Sequence, residues 1–290
     1  VVGKIRNDGQ YIVHNADEEI VNAKAKEVTE GFLYNRPYEA RNSSFVEPIF
    51  TEPTDYNQIL VDILSHENMA SREPIFEQYD KQVQGRVHTE TGLADSGVMA
   101  PFNSERYPEE IRNVGIALST DHNPRYGIID PYWGGVNAVV ESMRNVASVG
   151  ATPHALSDCL CFGNPEKPHQ MWEFVEAVRG VADACHAITL KDHTDHATPI
   201  IAGNVSFYNE SKNGAIPPSP IVSCLGRLKD INKTVPAHFQ ETDSTLIMIG
   251  VRKNELGGSV YYSLKNELGA NVPKPNLEEV KNQLFALTDC

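Results

Sequence analysis

The stretch DPYWGGVNAVVESMRNVASVGATPHALSDCLCFGN, residues 130–164, decides how the rest of the chain is read. Pro131 with Gly134 and Gly135 marks a turn, and Val136, Val139, Val140, Met143 and Ala147 then recur at helical steps, so the spacing predicts an amphipathic helix. Gly150 and Pro153 stop that helix. His154, Ala155 and Leu156 begin a short buried strand with Asp158 at its end, ahead of the loop Phe162-Gly163-Asn164-Pro165. Turn, helix, turn and strand in that order are the grammar of an α/β domain.

Upstream, NVGIALST (113–120) is an apolar run of strand length that delivers Asp121, His122, Asn123, Arg125 and Tyr126 into a loop. Downstream, Met171, Phe174, Val175, Val178, Val181, Ala182 and Cys185 form a helical stripe, which reads as core without chemistry. The run KDHTDHA (191–197) places His193, Asp195 and His196 close together, but in a polar flexible loop such residues are solvent-exposed more often than metal-bound. TPIIA (198–202) reads as a second buried strand, ending in Gly203, Asn204 and Ser206. Two strand ends thus present Asp158 beside Gly203, Asn204 and Ser206. Carboxylate and amide oxygens can hold magnesium, and a glycine lets backbone approach a phosphate.

The flanks are less regular. Val1–Ile5 and Gln10–Val13 fit a hairpin about Asn7-Asp8-Gly9, Glu18–Val28 is strand or helix, and Tyr34–Ser44 is connector. Thr54–Met69 predicts a helix with Ile59, Leu60, Ile63 and Leu64 on one face, and Arg72–His88 a solvated strand and turn, the alternative being an interface or substrate-entry strand carrying Arg86. Pro217-Pro218-Ser219-Pro220 punctuates the chain, with Ile221–Leu225 and Ser244–Gly250 expected as strands of a new domain. Asn276 and Glu279 make a capping-box start for a helix bearing Leu277, Val280, Leu284 and Leu287.

Composition narrows the class. The 290 residues suffice for about two domains, and 40% hydrophobic with 22% charged residues is ordinary for a globular protein. Thirty-nine carboxylates against 25 Lys and Arg give a formal net charge of −14, which disfavours a broad nucleic-acid surface. Five cysteines read as reduced core thiols of a cytosolic protein, with Cys159 and Cys161 expected on opposite faces of their strand, a poor arrangement for zinc. No apolar run has membrane-spanning length and no secretory leader is evident, so a cytoplasmic location without membrane contact is expected. The abrupt start, without Met, reads as the interior of something larger.

The blocks EQYDKQVQGR, STDHNPRY, DPYWGG, NVASVGATP, SDCLCFGNPEKP, MWEFVEAVRGVADAC, GNVSFYNE and LGGS, in this order, closely resemble the second half of the synthetase subunit of phosphoribosylformylglycinamidine synthase, the PurL family. The resemblance implies a PurM-like fold: an ATP-binding α/β domain with a mixed sheet and helices, followed by part of a PurM-like C-terminal α+β domain. It implies boundaries of 1–44 for the tail of a preceding C-terminal-like domain, 45–71 for a linker helix, 72–218 for the nucleotide-binding domain and 219–290 for the start of its partner domain. The family reaction uses ATP to activate the formamide oxygen of formylglycinamide ribonucleotide, which ammonia then displaces. The resemblance therefore implies ATP and Mg2+ as cofactors, and as partners the remainder of the PurL chain, the glutaminase subunit PurQ and the small subunit PurS.

By the same resemblance Asp158 and Gly203 contact ATP, Asn204 holds magnesium and Ser206 binds substrate, while the family's catalytic histidine has no counterpart here. One departure stands out. The family's glycine turn carries Asp five residues before Gly-Ala-x-Pro, whereas this chain has Asn145 before Gly150-Ala151-Thr152-Pro153, and a neutral amide is the weaker magnesium ligand. That leaves two alternatives: a structural half with an empty or structural nucleotide site, or a related synthetase or kinase such as selenide, water dikinase or thiamine monophosphate kinase.

Overall fold

Asp130 shows how local chemistry sets the architecture. Its carboxylate accepts from the Tyr132 and Trp133 amides at 3.1 and 3.3 Å, capping a helix whose first residue is proline. Its own N–H bonds to Tyr126 O at 2.8 Å, so one residue closes the preceding helix and opens the next. The structure, a computed structural model, describes residues 2–289 and divides into two compact units at Pro37/Tyr38.

The first unit holds a hairpin of β1 (Gln10–Asn15) and β2 (Glu18–Lys24), then α1 (Ala25–Glu30). The hairpin turns at Ala16, where φ is +52°, and not at Gly9 as the sequence predicts. Asp8 instead accepts from the Gln10 amide at 3.2 Å and from Arg6, leading the chain into β1. Glu18–Val28 is both strand and helix in succession.

The second unit opens with residues 38–53, which lack regular secondary structure. They are tied down by Arg41, which pairs with Glu173 at 2.7 Å, and by Glu47, which accepts from Tyr262 Oη at 2.5 Å and from the Ala270 and Asn271 amides. Next come α2 (Tyr56–Ser65), capped by Asp55, α3 (Glu73–Phe76), β3 (Val87–Thr89), β4 (Gly97–Met99) and β5 (Gly115–Asp121). After α4 (Pro124–Ile129) and α5 (Pro131–Ser148), β6 (Thr152–Cys161) runs ten residues, so Asp158 lies inside the strand and not at its end. α6 (Pro168–Ala187) follows, then a hairpin of β7 (Thr189–Leu190) and β8 (His193–Ala197) where the sequence predicts a flexible loop.

β9 (Ile200–Ser206), a small hairpin of β10 (Glu210–Ser211) and β11 (Gly214–Ala215), and β12 (Ser219–Leu228) complete the strands. α7 (Val260–Ser263) and α8 (Leu277–Leu287) end the chain, α8 capped by Asn276 as its capping box predicts. No strand forms over 244–250. Among the described residues no helix is long and apolar enough to cross a membrane.

The sheet order is β3-β4-β5-β12-β6-β9, antiparallel throughout except for the parallel β6–β9 pair. β12, expected to begin a new domain, therefore lies inside the sheet between β5 and β6, and no domain boundary falls at 218/219. Its alternation explains this: Val222, Cys224 and Leu228 are buried on one face while Arg227 is exposed on the other. β9, expected to be buried, is the exposed edge strand, with Ile201 67% accessible.

α5 and α6 cover the inner face. Val136, Val139, Val140, Met143 and Val146 of α5 are fully buried there with Ala117, Leu156, Val222 and Leu228, each large side chain contributing about 1.5–3 kcal/mol of transfer energy. Gly134 and Gly135 belong to α5 itself, not to a turn. A Cβ on Gly135 would overlap Ala177 O, and one on Gly180 would overlap Tyr132 O, so the two helices touch backbone to backbone. Gly180→Ala is expected to lower stability by about 1–3 kcal/mol, read as a lower urea midpoint with unchanged slope, whereas Gly97→Ala, at an exposed position where the added Cβ meets nothing and φ is not left-handed, is expected to leave the midpoint nearly unchanged.

Candidate functional site

The sequence-predicted site residues all fall on the β6–β9 pair. Asp158 is in register with Gly203, Cys159 with Asn204 and Cys161 with Ser206. Because strand side chains alternate, the four divide between the two faces of the sheet. Asp158 lies on the inner face with Leu156 and Leu160, which are buried, and with Val222 opposite it. Asn204 and Ser206 lie on the outer face. The expectation of a single cluster at two strand ends is corrected accordingly.

Asp158 and Gly203 still form a unit. A Cβ at position 203 would overlap the Asp158 carboxylate, so glycine is what lets the carboxylate rest against the edge strand. Burial raises the Asp158 carboxyl above its ordinary range, and the Asn204 N–H, which donates to it, opposes that shift. Behind it the Cys185 thiol of α6 is pushed up to about 12, by burial first and the Asp158 charge second. On the outer face Ser206 Oγ lies 3.1 Å from Asn209 Nδ2, which also donates to Phe162 O at 3.0 Å and Ser206 O at 2.8 Å. This clamp fixes the end of β9, with Tyr208 in the left-handed region at φ +61°.

A second polar centre forms where β5 meets α5. Asn145 Nδ2 donates to Asp121 Oδ1 at 2.8 Å, and Ser119 Oγ donates to the other carboxylate oxygen. Burial raises the Asp121 carboxyl despite these bonds. Next to it His122 is lowered to about 4 by burial, and neither ring nitrogen has a hydrogen-bond partner among the described residues. Asn123 caps α4 by accepting from the Arg125 amide at 3.0 Å. Asn145 also lines a cavity of about 680 Å³ with Asp95, Asn137, Arg144, Arg252 and Lys274. The strand-end cluster 121–126 was legible in sequence; the Asp121–Asn145 bond was not, because no local pattern pairs residues 24 apart.

The histidine-rich run stays out of both centres. His193 and His196 stack at 5.7 Å on the exposed β7–β8 hairpin. Among the described residues no three His, Cys, Asp or Glu side chains converge to hold a metal.

Residues 95–228 match the family model described as AIR synthase related protein, N-terminal domain. That segment contains every strand from β4 to β12. The chain is 45% identical over all 290 residues to the phosphoribosylformylglycinamidine synthase subunit PurL of Methanothrix thermoacetophila, covering 37% of that protein. It is 36% identical to the same subunit of Moorella thermoacetica over 94% of this chain and 36% of that one. Among solved structures it resembles PurLQS from Thermotoga maritima, with TM-score 0.57, 22% identity, and coverage of 79% of this chain and 33% of that chain. It also resembles T. maritima PurL complexed with ATP, with TM-score 0.52, 20% identity, and coverage of 78% and 32%. These last two likenesses carry the fold. The end-to-end identity carries more: the chain belongs to the phosphoribosylformylglycinamidine synthase subunit PurL family and spans about a third of the length of the curated relatives it matches.

Proposed function

We propose that this chain supplies part of an ATP-dependent ligase that converts formylglycinamide ribonucleotide and ammonia to the amidine. The 45% identity across the whole chain to a PurL subunit is the observation that supports it most. In that reaction ATP phosphorylates the formamide oxygen, turning a poor leaving group into phosphate, and ammonia displaces it. T. maritima PurL has been solved with ATP, ADP, AMPPCP and FGAR, which supports a nucleotide and this substrate as ligands. PurLQS of the same organism supports PurQ and PurS as partners. Residues 1–44 would be the tail of a preceding domain, 45–71 a linker, and residues beyond β12 the start of a PurM-like C-terminal domain.

Asn204 and Ser206, two residues apart on one strand face, would touch substrate or nucleotide together. Asp158 would act from behind, holding the Asn204 N–H and so the position of the edge strand. Magnesium fits less well. Asp158 and Asn204 face opposite ways and cannot share one ion, and the strand neighbours of Asn204 on its own face are Ala202, Ser206 and Cys159, none a carboxylate. No step is therefore assigned to a magnesium ion here.

In a protein of full family length carrying this stretch, Ser206→Ala is expected to slow amidine formation at least about 10-fold, or roughly 1.4 kcal/mol in the barrier, with stability lowered by no more than the about 1 kcal/mol that its hydrogen bond to Asn209 contributes. Unaltered kcat/KM would remove Ser206 from the site.

A structural role for the β5–α5 centre is favoured by the Asn145–Asp121 bond, which turns that amide toward protein. Its energetics have a definite sign. A carboxyl raised in the folded state stabilises when protonated and loses that contribution as pH rises through its folded value. Asp121→Asn keeps an acceptor for Asn145 and gains a donor for Ser119, so the variant is expected to unfold at higher urea than wild type at pH 7. The advantage disappears below the ordinary value of 3.8, and a variant less stable than wild type at pH 7 would contradict this.

A further inference from the structure

On the outer face beside Asn204 the structure places the sulfurs of Cys159 and Cys161 3.6 Å apart, both half-buried. Strand period two puts residues i and i+2 on the same face, which overturns the expectation that these thiols point apart. Asn204 is in register with Cys159, and Ser206 with Cys161.

Two outcomes are open to such a pair, a disulfide or a shared ion, and geometry separates them. Two strand residues apart, the Cα atoms are about 6.6 Å distant, at the upper end of what a disulfide spans (roughly 4.4–6.8 Å). The sulfurs would also have to close from 3.6 Å to about 2.05 Å within a strand hydrogen-bonded on both sides. An ion asks for almost no movement. Sulfurs 3.6 Å apart subtend about 103° at an ion ~2.3 Å from each, near the tetrahedral angle of about 109° that zinc thiolates adopt.

We propose that Cys159 and Cys161 form a two-thiolate site for a thiophilic divalent cation of the zinc class on the outer face of the sheet. Each thiol gives its proton to solvent as its sulfur bonds the ion, and the remaining positions fall to water and to the Asn204 amide oxygen. The same donor set that suits magnesium poorly suits a soft ion well, since thiolate sulfur prefers zinc and its congeners to hard cations. The inference stands on the thiol geometry and not on the ligase assignment.

The test uses the whole chain with Cd2+ or Zn2+ as probe. Cadmium is expected to give a near-ultraviolet thiolate charge-transfer band, with apparent affinity falling at least about 10-fold in Cys159→Ser and in Cys161→Ser but not in Cys185→Ser. Because a serine variant could misfold, a second measurement uses wild type alone: zinc is expected to protect the peptide bearing Cys159 and Cys161 from alkylation, as read by mass spectrometry, and magnesium to leave it reactive. No band, no protection of that peptide, or equal protection by magnesium would overturn the site. Activity enters neither readout, so failure of the ligase assignment would leave the result interpretable.

Discussion

The contact between α5 and α6 at Gly135 and Gly180 is the constraint on which the second unit rests. With no Cβ on either residue, the helices approach until backbone meets backbone, and both can lie on the same sheet face. Tyr132 Oη, 2.9 Å from Asp183 Oδ2, and the Arg179 guanidinium over the Tyr132 ring reinforce the same contact at its rim. From this packing follows a core of small and branched residues, and from that core the direction of every strand's alternation. The chemistry of the candidate site is a consequence of which residues are left facing out.

That consequence is concrete on β6 and β9. One face receives Asp158 and Gly203 and is closed by α6; the other receives Asn204, Ser206 and the two thiols. In the proposed reading the half-buried Asp158 carboxylate, which holds an amide of the edge strand, positions β9, while the exposed Asn204 amide and the half-buried Ser206 hydroxyl two residues on meet the ligand. The resemblance to the family would join these four residues in one site, and the sheet separates them by the thickness of a strand. Both statements hold if Asp158 acts through the backbone of β9 and Asn204 and Ser206 act directly.

Elements with a long local period were legible in the sequence. α5 and α6 announce themselves through valines and alanines at helical spacing, and α8 through the Asn276 cap, because each depends on neighbours within four residues. What failed depends on distant pairing. Pro217-Pro218-Ser219-Pro220 resembles a boundary, yet Val222 finds Asp121 on one side and Asp158 on the other, and nothing near residue 222 encodes that. TPIIA is apolar enough for a central strand but occupies an edge. Gly134 and Gly135 read as a turn because a glycine demanded by a neighbouring helix looks, locally, like a glycine demanded by a turn. The positions of Asp158, Gly203, Asn204 and Ser206 on adjacent strands were foreseen; their division between faces needed the register.

In the proposed ligase role the outer face of β9, and not its inner face, meets the ligands of the reaction. Hydrogen–deuterium exchange on a full-length protein carrying this chain, with and without ATP and formylglycinamide ribonucleotide, tests it most directly. Ligand-dependent protection is expected across residues 202–209, with no change over the buried contact of α5 and α6. Unchanged exchange in β9 on saturation with both ligands would contradict it.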